Sequence, residues 1–251
     1  MRRLLLQTGS AALLLMTLPR LATADSEQHP TLKRKFNLPP SVDLNYTIDA
    51  RQSGLQIQGS ALVQWRNNAQ SYSVTAETRA MLVGKILDAK SEGAIDAYGL
   101  APARFTEKRF RKDPTSTTFD RAARTITFAQ SDLSYPLAGG EQDRTSITWQ
   151  LVAIVRAMPK KFTRGSEWAF FVAGQRDAER WTFKVIGPEK IRTPTGDLAT
   201  LHLMRAPPPD AQSQKLDLWL APGLEWYPVK LRFTDADGEY IEQTLQDYRK
   251  P

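Results

Sequence analysis

Between residues 55 and 65, every second position carries an apolar or small side chain, and most residues in between are polar. The alternating residues are Leu55, Ile57, Gly59, Ala61, Val63 and Trp65. A period of two is typical of a β-strand with one face in the core and the other in water. Residues 42–48 and 72–78 alternate in the same way, so this part of the chain is predicted to form an antiparallel meander.

The two-residue period stops at Asp143, and a helical period follows until Met158. Steps of four, three, one and three residues place the apolar side chains on one helical face. These side chains are Ile147, Leu151, Ile154, Val155 and Met158. Residues that cap helices stand at the start of the stretch, and Pro159 ends it. The pattern predicts one long central helix over about 143–158, packed on the dry face of the sheet.

Alternating segments return after Gly165, separated by turn sequences such as 193–196 and 235–238. The predicted fold class is therefore mainly β: an antiparallel, strongly curved sheet, or an open or closed β-barrel, with one long central helix. Residues 41–251 are expected to form a single β-rich domain. The polar and basic segment 25–40, which ends in two prolines, is expected to be a flexible N-terminal arm.

The first 24 residues have the composition of an export signal. Arg2 and Arg3 precede a short apolar run, and the alanines at 22 and 24 have the spacing that signal peptidase recognises. The run is too short and too interrupted for a transmembrane helix. We therefore expect a signal peptide over 1–24, export to the periplasm, and no transmembrane segment in the mature chain. The general secretory route is favoured, and the paired arginines leave the twin-arginine route open.

Charge and cysteine content exclude several classes of function. The chain has 34 basic and 27 acidic residues, a formal net charge of +7. Three arginines and no acidic residue lie in the expected signal, so the mature chain would carry +4. Its basic residues are spread along the chain, which argues against a nucleic-acid partner. The sequence contains no cysteine, which excludes disulfides, thiol nucleophiles and thiolate metal sites.

Residues able to carry catalysis are few and form no recognisable motif. There are two histidines, His29 in the expected arm and His202 in a predicted strand. Neither has the spacing typical of zinc sites, and no nucleophile elbow or nucleotide-binding loop is present. Asp217, Asp235 and Asp237 are the carboxylates considered for hydrolysis, but the last two belong to a hairpin turn. No catalytic residue, metal ligand or cofactor is predicted.

Tryptophan is the residue type that leaves a binding role open. Six tryptophans occur in the chain, and packing in the core of a sheet accounts for most residues of this kind. Trp219 and Trp226 bracket a turn and oppose the leucine face of their strand, while Trp149 lies off the main helical stripe. These three are the candidate ligand- or partner-binding residues.

Short motifs, most of them turn-forming, are scattered over nearly the whole mature chain. They are Tyr46 with Gly54-Leu55, Gly99-Leu100-Ala101-Pro102, Arg109, the stretch from Asp143 to Arg156, Thr193-Pro194-Thr195-Gly196, Trp219-Leu220, Trp226-Tyr227-Pro228-Val229 and Asp237-Gly238. In this order and spacing, the chain resembles a family of uncharacterised exported proteins of Gram-negative bacteria, known only as a domain of unknown function. The resemblance implies an all-β, strongly curved sheet and no established reaction. A looser architectural likeness connects it with periplasmic lipoprotein carriers, in which an incomplete β-barrel encloses an apolar interior.

These observations favour a non-enzymatic periplasmic protein that binds or carries an apolar or acyl-bearing ligand, or that supports envelope assembly. The expected partners are a lipid or another apolar ligand and an envelope protein. Two alternatives stay open: a structural module that docks on an envelope partner, and a periplasmic hydrolase that acts on a glycan or an ester.

Overall fold

The computed structural model describes residues 29–194, 196–207 and 214–251, so the signal peptide expected over 1–24 lies outside the described residues. Fifteen strands and one α-helix, α1 (Ser146–Ala157), are present in the described part. The strands are β1 (Val42–Gln52), β2 (Leu55–Asn67), β3 (Ser71–Ala80), β4 (Gly84–Asp96), β5 (Gly99–Arg109), β6 (Thr115–Asp120), β7 (Thr125–Phe128), β8 (Ser131–Pro136), β9 (Gln142–Asp143), β10 (Glu167–Ala173), β11 (Ala178–Thr193), β12 (Gly196–Arg205), β13 (Lys215–Leu220), β14 (Pro228–Thr234) and β15 (Tyr240–Arg249).

All fifteen strands form one sheet, in the order β8-β7-β6-β5-β4-β3-β2-β1-β15-β14-β13-β12-β11-β10-β9. The two halves of the chain are meanders, and they join where β1 pairs antiparallel with β15. The two-residue strand β9 pairs in parallel with β10, and the other ladders are antiparallel. The predicted class, a mainly β, curved antiparallel sheet with one helix, is confirmed.

The barrel is open, because no backbone ladder joins the edge strands β8 and β9 among the described residues. Side chains fill the opening instead. The rings of Tyr135 on β8 and Phe171 on β10 lie 5.6 Å apart, and Thr117 on β6 donates to the carbonyl of Gly174 at 2.7 Å.

The alternation predicted from the sequence is present in β1, where every second side chain is buried. Strong curvature brings neighbouring strands close at two glycines. A Cβ atom at Gly59 would lie 2.2 Å from the carbonyl oxygen of Arg79, and one at Gly93 would lie 2.2 Å from that of Ala101. A glycine inside a strand commonly marks such a close backbone approach.

Helix α1 is shorter than the predicted 143–158, because Asp143 belongs to the sheet and a turn separates it from Ser146. Asp143 is in β9, and its Oδ1 accepts hydrogen bonds from the amides of Thr145 and Ser146 at 2.8 Å each. At the other end, a 3₁₀ turn begins at Pro159. None of the described helices has the length and apolarity that a membrane crossing requires.

The helix is buried on nearly all sides, not only along its predicted stripe. Trp149, Gln150, Val152 and Ala153 are buried as well. A helix that is covered all round needs a second partner besides the sheet, and residues 29–40 supply it.

Residues 29–40, the described part of the expected flexible arm over 25–40, pack across the helix. The amide of Asn37 donates to the Ala153 carbonyl at 2.8 Å. Trp65 Nε1 donates to the carbonyl of Pro39 at 3.0 Å. Phe36 and Leu38 pack against the core on either side of the helix. The polar composition of the segment did not indicate that Phe36 and Leu38 would pack against the core.

Candidate binding site at the helix

The N-terminal end of α1 is held by a buried polar cluster. Ser91 Oγ donates to Asp143 Oδ2 at 2.5 Å, and Ser91 Oγ also lies 2.9 Å from the Tyr72 hydroxyl. Asp143 is fully buried, and this burial raises its pKa to about 6, although hydrogen bonds from Ser91 and from the backbone of Ser146 and Thr145 oppose the rise. A perturbed carboxyl of this kind is a reason to look for catalysis.

The geometry around Asp143 does not match a catalytic triad. A serine nucleophile needs a base such as histidine within hydrogen-bond reach, and both histidines of the chain have partners elsewhere. His29 Nε2 lies 2.8 Å from Glu141 Oε1, and His202 lies between Glu189 and Asp217. The cluster therefore caps and anchors the helix.

The Gly99-Leu100 motif locks the same end of the helix. The Leu100 amide donates to Gln150 Oε1 at 2.8 Å, and Gln150 Nε2 donates to the Tyr98 carbonyl at 2.7 Å. Gly99 has a φ of +108°, and a Cβ atom there would lie 2.5 Å from Gln150 Oε1. The motif requires glycine at this position so that β5 can approach the helix.

The C-terminal end of α1 is fixed by Arg156. Its Nη1 donates to the Glu225 carbonyl at 2.9 Å and to Glu225 Oε2 at 2.5 Å. Glu225 and Trp226 both have left-handed backbone angles, with φ of 52° and 62°. A shallow groove of about 300 Å³ lies beside them, lined by Asn37, Arg156, Pro222, Gly223, Glu225 and Trp226. Trp226 is half-buried at this groove.

The three candidate tryptophans do not share one site. Trp149 is 2% exposed and stacks on Trp65 in the interior. Trp219 stacks on His202 with ring centroids 4.3 Å apart, and its Nε1 donates to Glu189 Oε2 at 2.9 Å. Trp226 alone lines a groove.

His202 lies in a ladder of charged groups. Its Nε2 is 2.8 Å from Asp217 Oδ1, and its Nδ1 is 3.1 Å from Glu189 Oε2. Burial raises the pKa of Asp217, but hydrogen bonds from His202 and Lys215 outweigh burial and lower it overall. This arrangement cross-links β11, β12 and β13, and it presents no free base.

The carboxylates of the β14–β15 turn are close enough to face one cation. Ligand oxygens of Asp235, Asp237 and Glu239 lie within 4.8 Å of one another. Glu239 Oε1, however, accepts a hydrogen bond from the Gly54 amide at 3.0 Å, and Asp237 Oδ1 accepts from the amide of Glu239 at 3.1 Å. Hydrogen bonds of this kind are typical of a turn, so they explain why the three carboxylates lie close together.

The strongest candidate site is the surface of α1 and β10 that residues 29–40 cover, here named the segment groove. The segment contacts the helix at Ala153 and β10 at Trp168 and Phe170. The Arg34 guanidinium lies 4.6 Å from the Phe170 ring centroid, and its Nη2 donates to the Ala169 carbonyl at 2.9 Å. Phe36 belongs to the segment and packs into the same apolar cluster.

Sequence reasoning missed Phe36 and Leu38. They are two residues apart and precede Pro39-Pro40, so a weak extended pattern was present. The basic run 33–35 beside them favoured a solvated arm.

Comparison with known structures supports the fold. The chain is similar to a β-barrel-like protein of domain of unknown function DUF1849 from Brucella abortus, at 12% identity, with 85% of this chain and 98% of that chain covered and a TM-score of 0.57. At this identity the similarity concerns the fold alone.

Two other solved structures match at lower TM-scores. One is a putative outer membrane lipoprotein-sorting protein domain from Vibrio parahaemolyticus (8% identity, 84% of this chain and 85% of that chain, TM-score 0.28). The other is the lipoprotein LppX of Mycobacterium tuberculosis (14% identity, 83% and 87%, TM-score 0.27). No curated protein matches the sequence.

The model of a protein family of unknown function, DUF3108, matches residues 45–246. This range runs from β1 to β15 and includes the whole of helix α1, whereas the N-terminal segment 29–40 precedes it. The chain therefore belongs to the DUF3108 family of proteins of unknown function.

Proposed function

We propose that this protein is a non-enzymatic component of the bacterial cell envelope that binds an acyl-bearing ligand in the segment groove. The observation that carries the proposal is the position of Phe36 and Leu38. They belong to a segment without helix or strand, and they complete the apolar layer around α1. Without ligand, Phe36 and Leu38 would thus occupy the position that the acyl chain takes when it binds.

The free energy of replacing the Phe36 and Leu38 side chains by an acyl chain favours binding of such a ligand. Each buried methylene contributes about 0.8 kcal/mol, so an acyl chain of roughly twelve carbons would contribute about 10 kcal/mol. Re-exposing one phenylalanine and one leucine would cost about 3–6 kcal/mol together. The difference leaves several kcal/mol to offset the entropy lost on binding.

The polar groups of the described residues support a role without chemistry. Asp143 caps the helix, His29 and His202 are paired with carboxylates, and Arg156 binds Glu225. A hydrolase would need two titratable groups facing one accessible cleft. The groove instead presents aromatic faces and one guanidinium, that of Arg34.

Location in the envelope is part of the proposal and rests on the sequence of residues 1–24. Processing after Ala24 predicts a mature protein that begins at Asp25, which N-terminal sequencing of the periplasmic fraction would test. Replacing Arg2 and Arg3 by lysine should leave export intact if the general secretory route is used. A protein that keeps its first 24 residues in the cytosol would refute this part.

Native mass spectrometry with palmitate and with phosphatidylglycerol tests the groove. The double variant Phe36→Ser/Leu38→Ser should bind at least about a hundredfold more tightly than the parent, because the ligand no longer competes with the segment. Leu32→Ser is the matched control, since Leu32 is on the same segment but is 58% exposed. If neither parent nor double variant retains either lipid, the groove proposal is wrong.

A second function, docking on another component of the envelope, is favoured by a separate observation. Large apolar side chains are exposed on hairpin tips at one end of the barrel. The residues of that surface are different from those of the segment groove.

A further inference from the structure

Three hairpin tips carry large apolar side chains that are exposed to water. Nine large hydrophobic residues are exposed in the described part of the chain, and five of them lie on these tips. They are Leu55 on the β1–β2 tip, Met81, Leu82 and Val83 on the β3–β4 tip, and Phe110 on the β5–β6 tip. Together they form what we name the tip surface.

The strand order makes the tip surface continuous. Strands β1 to β6 are consecutive neighbours in an antiparallel meander, so the three tips project from the same end of the barrel, side by side. Backbone hydrogen bonds connect the second and third tips to the preceding hairpin: Met81 N donates to Gln58 O at 3.0 Å, and Phe110 N donates to Ile86 O at 2.8 Å.

The turns themselves do not require these residues. Hairpin tips normally carry glycine, asparagine or aspartate, and Gly54 and Gly84 already supply the left-handed positions with φ of 75° and 81°. Leu82 is 96% exposed, so it contributes almost nothing to the core. Contiguous exposed apolar side chains of this kind mark an interaction site.

Basic residues flank the apolar tips. Residues 51–56, 79–85 and 109–113 contain six basic side chains and one acidic one, a net charge of +5. Arg79, Lys85 and Arg109 pair with Glu77, Asp88 and Glu107 further down the strands. Arg111 and Lys112 make no ion pair with any described residue, and both are exposed.

The acidic turn of β14–β15 bounds the tip surface. Glu239 Oε1 contacts the Gly54 amide at 3.0 Å, and Asp235 and Asp237 lie beside it. Positive and negative sectors therefore meet at the β1–β2 tip. An anionic surface would contact the β3–β6 side of the rim and stay clear of this turn.

We infer that the tip surface docks on an anionic phospholipid bilayer through its β3–β4 and β5–β6 tips, with their apolar side chains inserted below the headgroups and the basic residues at headgroup level. Protruding tips that lie side by side fit a deformable lipid interface. Basic residues near an anionic surface add attraction residue by residue, and apolar side chains add insertion. The inference goes beyond ligand binding in the segment groove and does not depend on it.

Co-sedimentation with vesicles tests the inference on the purified protein. We expect binding to vesicles of phosphatidylglycerol with phosphatidylcholine, and much weaker binding to phosphatidylcholine alone. Leu82→Asp should weaken binding at least about tenfold, and Arg111→Gln with Lys112→Gln about fivefold for each charge removed. Added salt should weaken the parent more than this charge variant.

Leu133→Asp is the matched control, because Leu133 is 45% exposed on β8, outside the tip surface, and it should bind like the parent. Thermal unfolding of each variant checks the fold. The inference fails if Leu82→Asp binds the vesicles as well as the parent does. It also fails if the parent binds neither kind of vesicle, and a protein would then be the partner of this surface. Vesicle binding by Phe36→Ser/Leu38→Ser should match the parent, which separates this result from the groove test.

Discussion

The indole rings of Trp65 and Trp149 lie 4.6 Å apart between centroids, with planes 8° from parallel. This stack joins β2 to the helix on the side opposite its predicted apolar stripe. Trp65 also donates from Nε1 to the carbonyl of Pro39. Sheet, helix and N-terminal segment thus meet at one pair of rings.

Trp149→Ala should destabilise the protein by about 3–5 kcal/mol, the range for removing a large buried aromatic side chain. Urea unfolding followed by circular dichroism would measure the loss. Trp149→Phe should cost clearly less, because part of the stack is kept.

The matched control for Trp149 is Trp226→Ala. Trp226 is only half-buried at the surface groove, so we expect a smaller loss than at Trp149. An equal loss for both alanine variants would contradict the burial that the structure assigns to Trp149.

The raised pKa of Asp143 predicts a specific dependence of stability on pH. Burial places this pKa at about 6 in the folded protein, against about 4 in the unfolded chain. The folded state therefore binds the proton more tightly, and this contribution is complete below about pH 4 and lost as the pH rises through about 6. The change amounts to about 3 kcal/mol.

Asp143→Asn removes this titration and keeps an oxygen that can accept from the amides of Thr145 and Ser146. We expect the free energy of unfolding of the variant, relative to the parent, to rise by about 3 kcal/mol between pH 4 and pH 7. Urea titrations at several pH values would show it. Identical pH profiles for parent and variant would refute the assignment.

The pair His29–Glu141 should control access of proteases to the N-terminal segment. Burial raises the pKa of Glu141, but hydrogen bonds from His29 and from the amides of Gly139 and Ala138 prevail, and the pKa lies below its ordinary value. The carboxylate therefore stays ionised at neutral pH beside His29, and its contribution is lost only as the pH falls through that lowered pKa.

Glu141→Gln should loosen the segment and speed tryptic cleavage at residues 33–35 by about tenfold, since a buried partner loses a charged hydrogen bond. Mass spectrometry of the fragments over time would follow the cut. Thr31→Ala, at an exposed neighbour of His29, should leave the rate unchanged. Equal rates for Glu141→Gln and the parent would show that this pair does not hold the segment.

Local patterns predicted the strands, the central helix and the turn at Asp237-Gly238, because alternation and helical spacing are properties of neighbouring residues. They misplaced the start of the helix, since Asp143 is drawn into β9 by pairing with Ala173. They also placed His29 in a loose arm, whereas it stacks on Phe171 at 4.2 Å.

The sequence by itself determined a sheet with one dry face, a helix to cover it, and a composition without the motifs of common enzymes. Only the tertiary structure decided that the barrel stays open, that residues 29–40 enclose the far side of the helix, and that three apolar tips lie side by side. The reason is separation along the chain. Contacts such as that of the Tyr46 hydroxyl with the Pro228 carbonyl, at 2.6 Å, join residues 182 positions apart. Such contacts depend on how the two meanders are paired and curved, which no local pattern encodes.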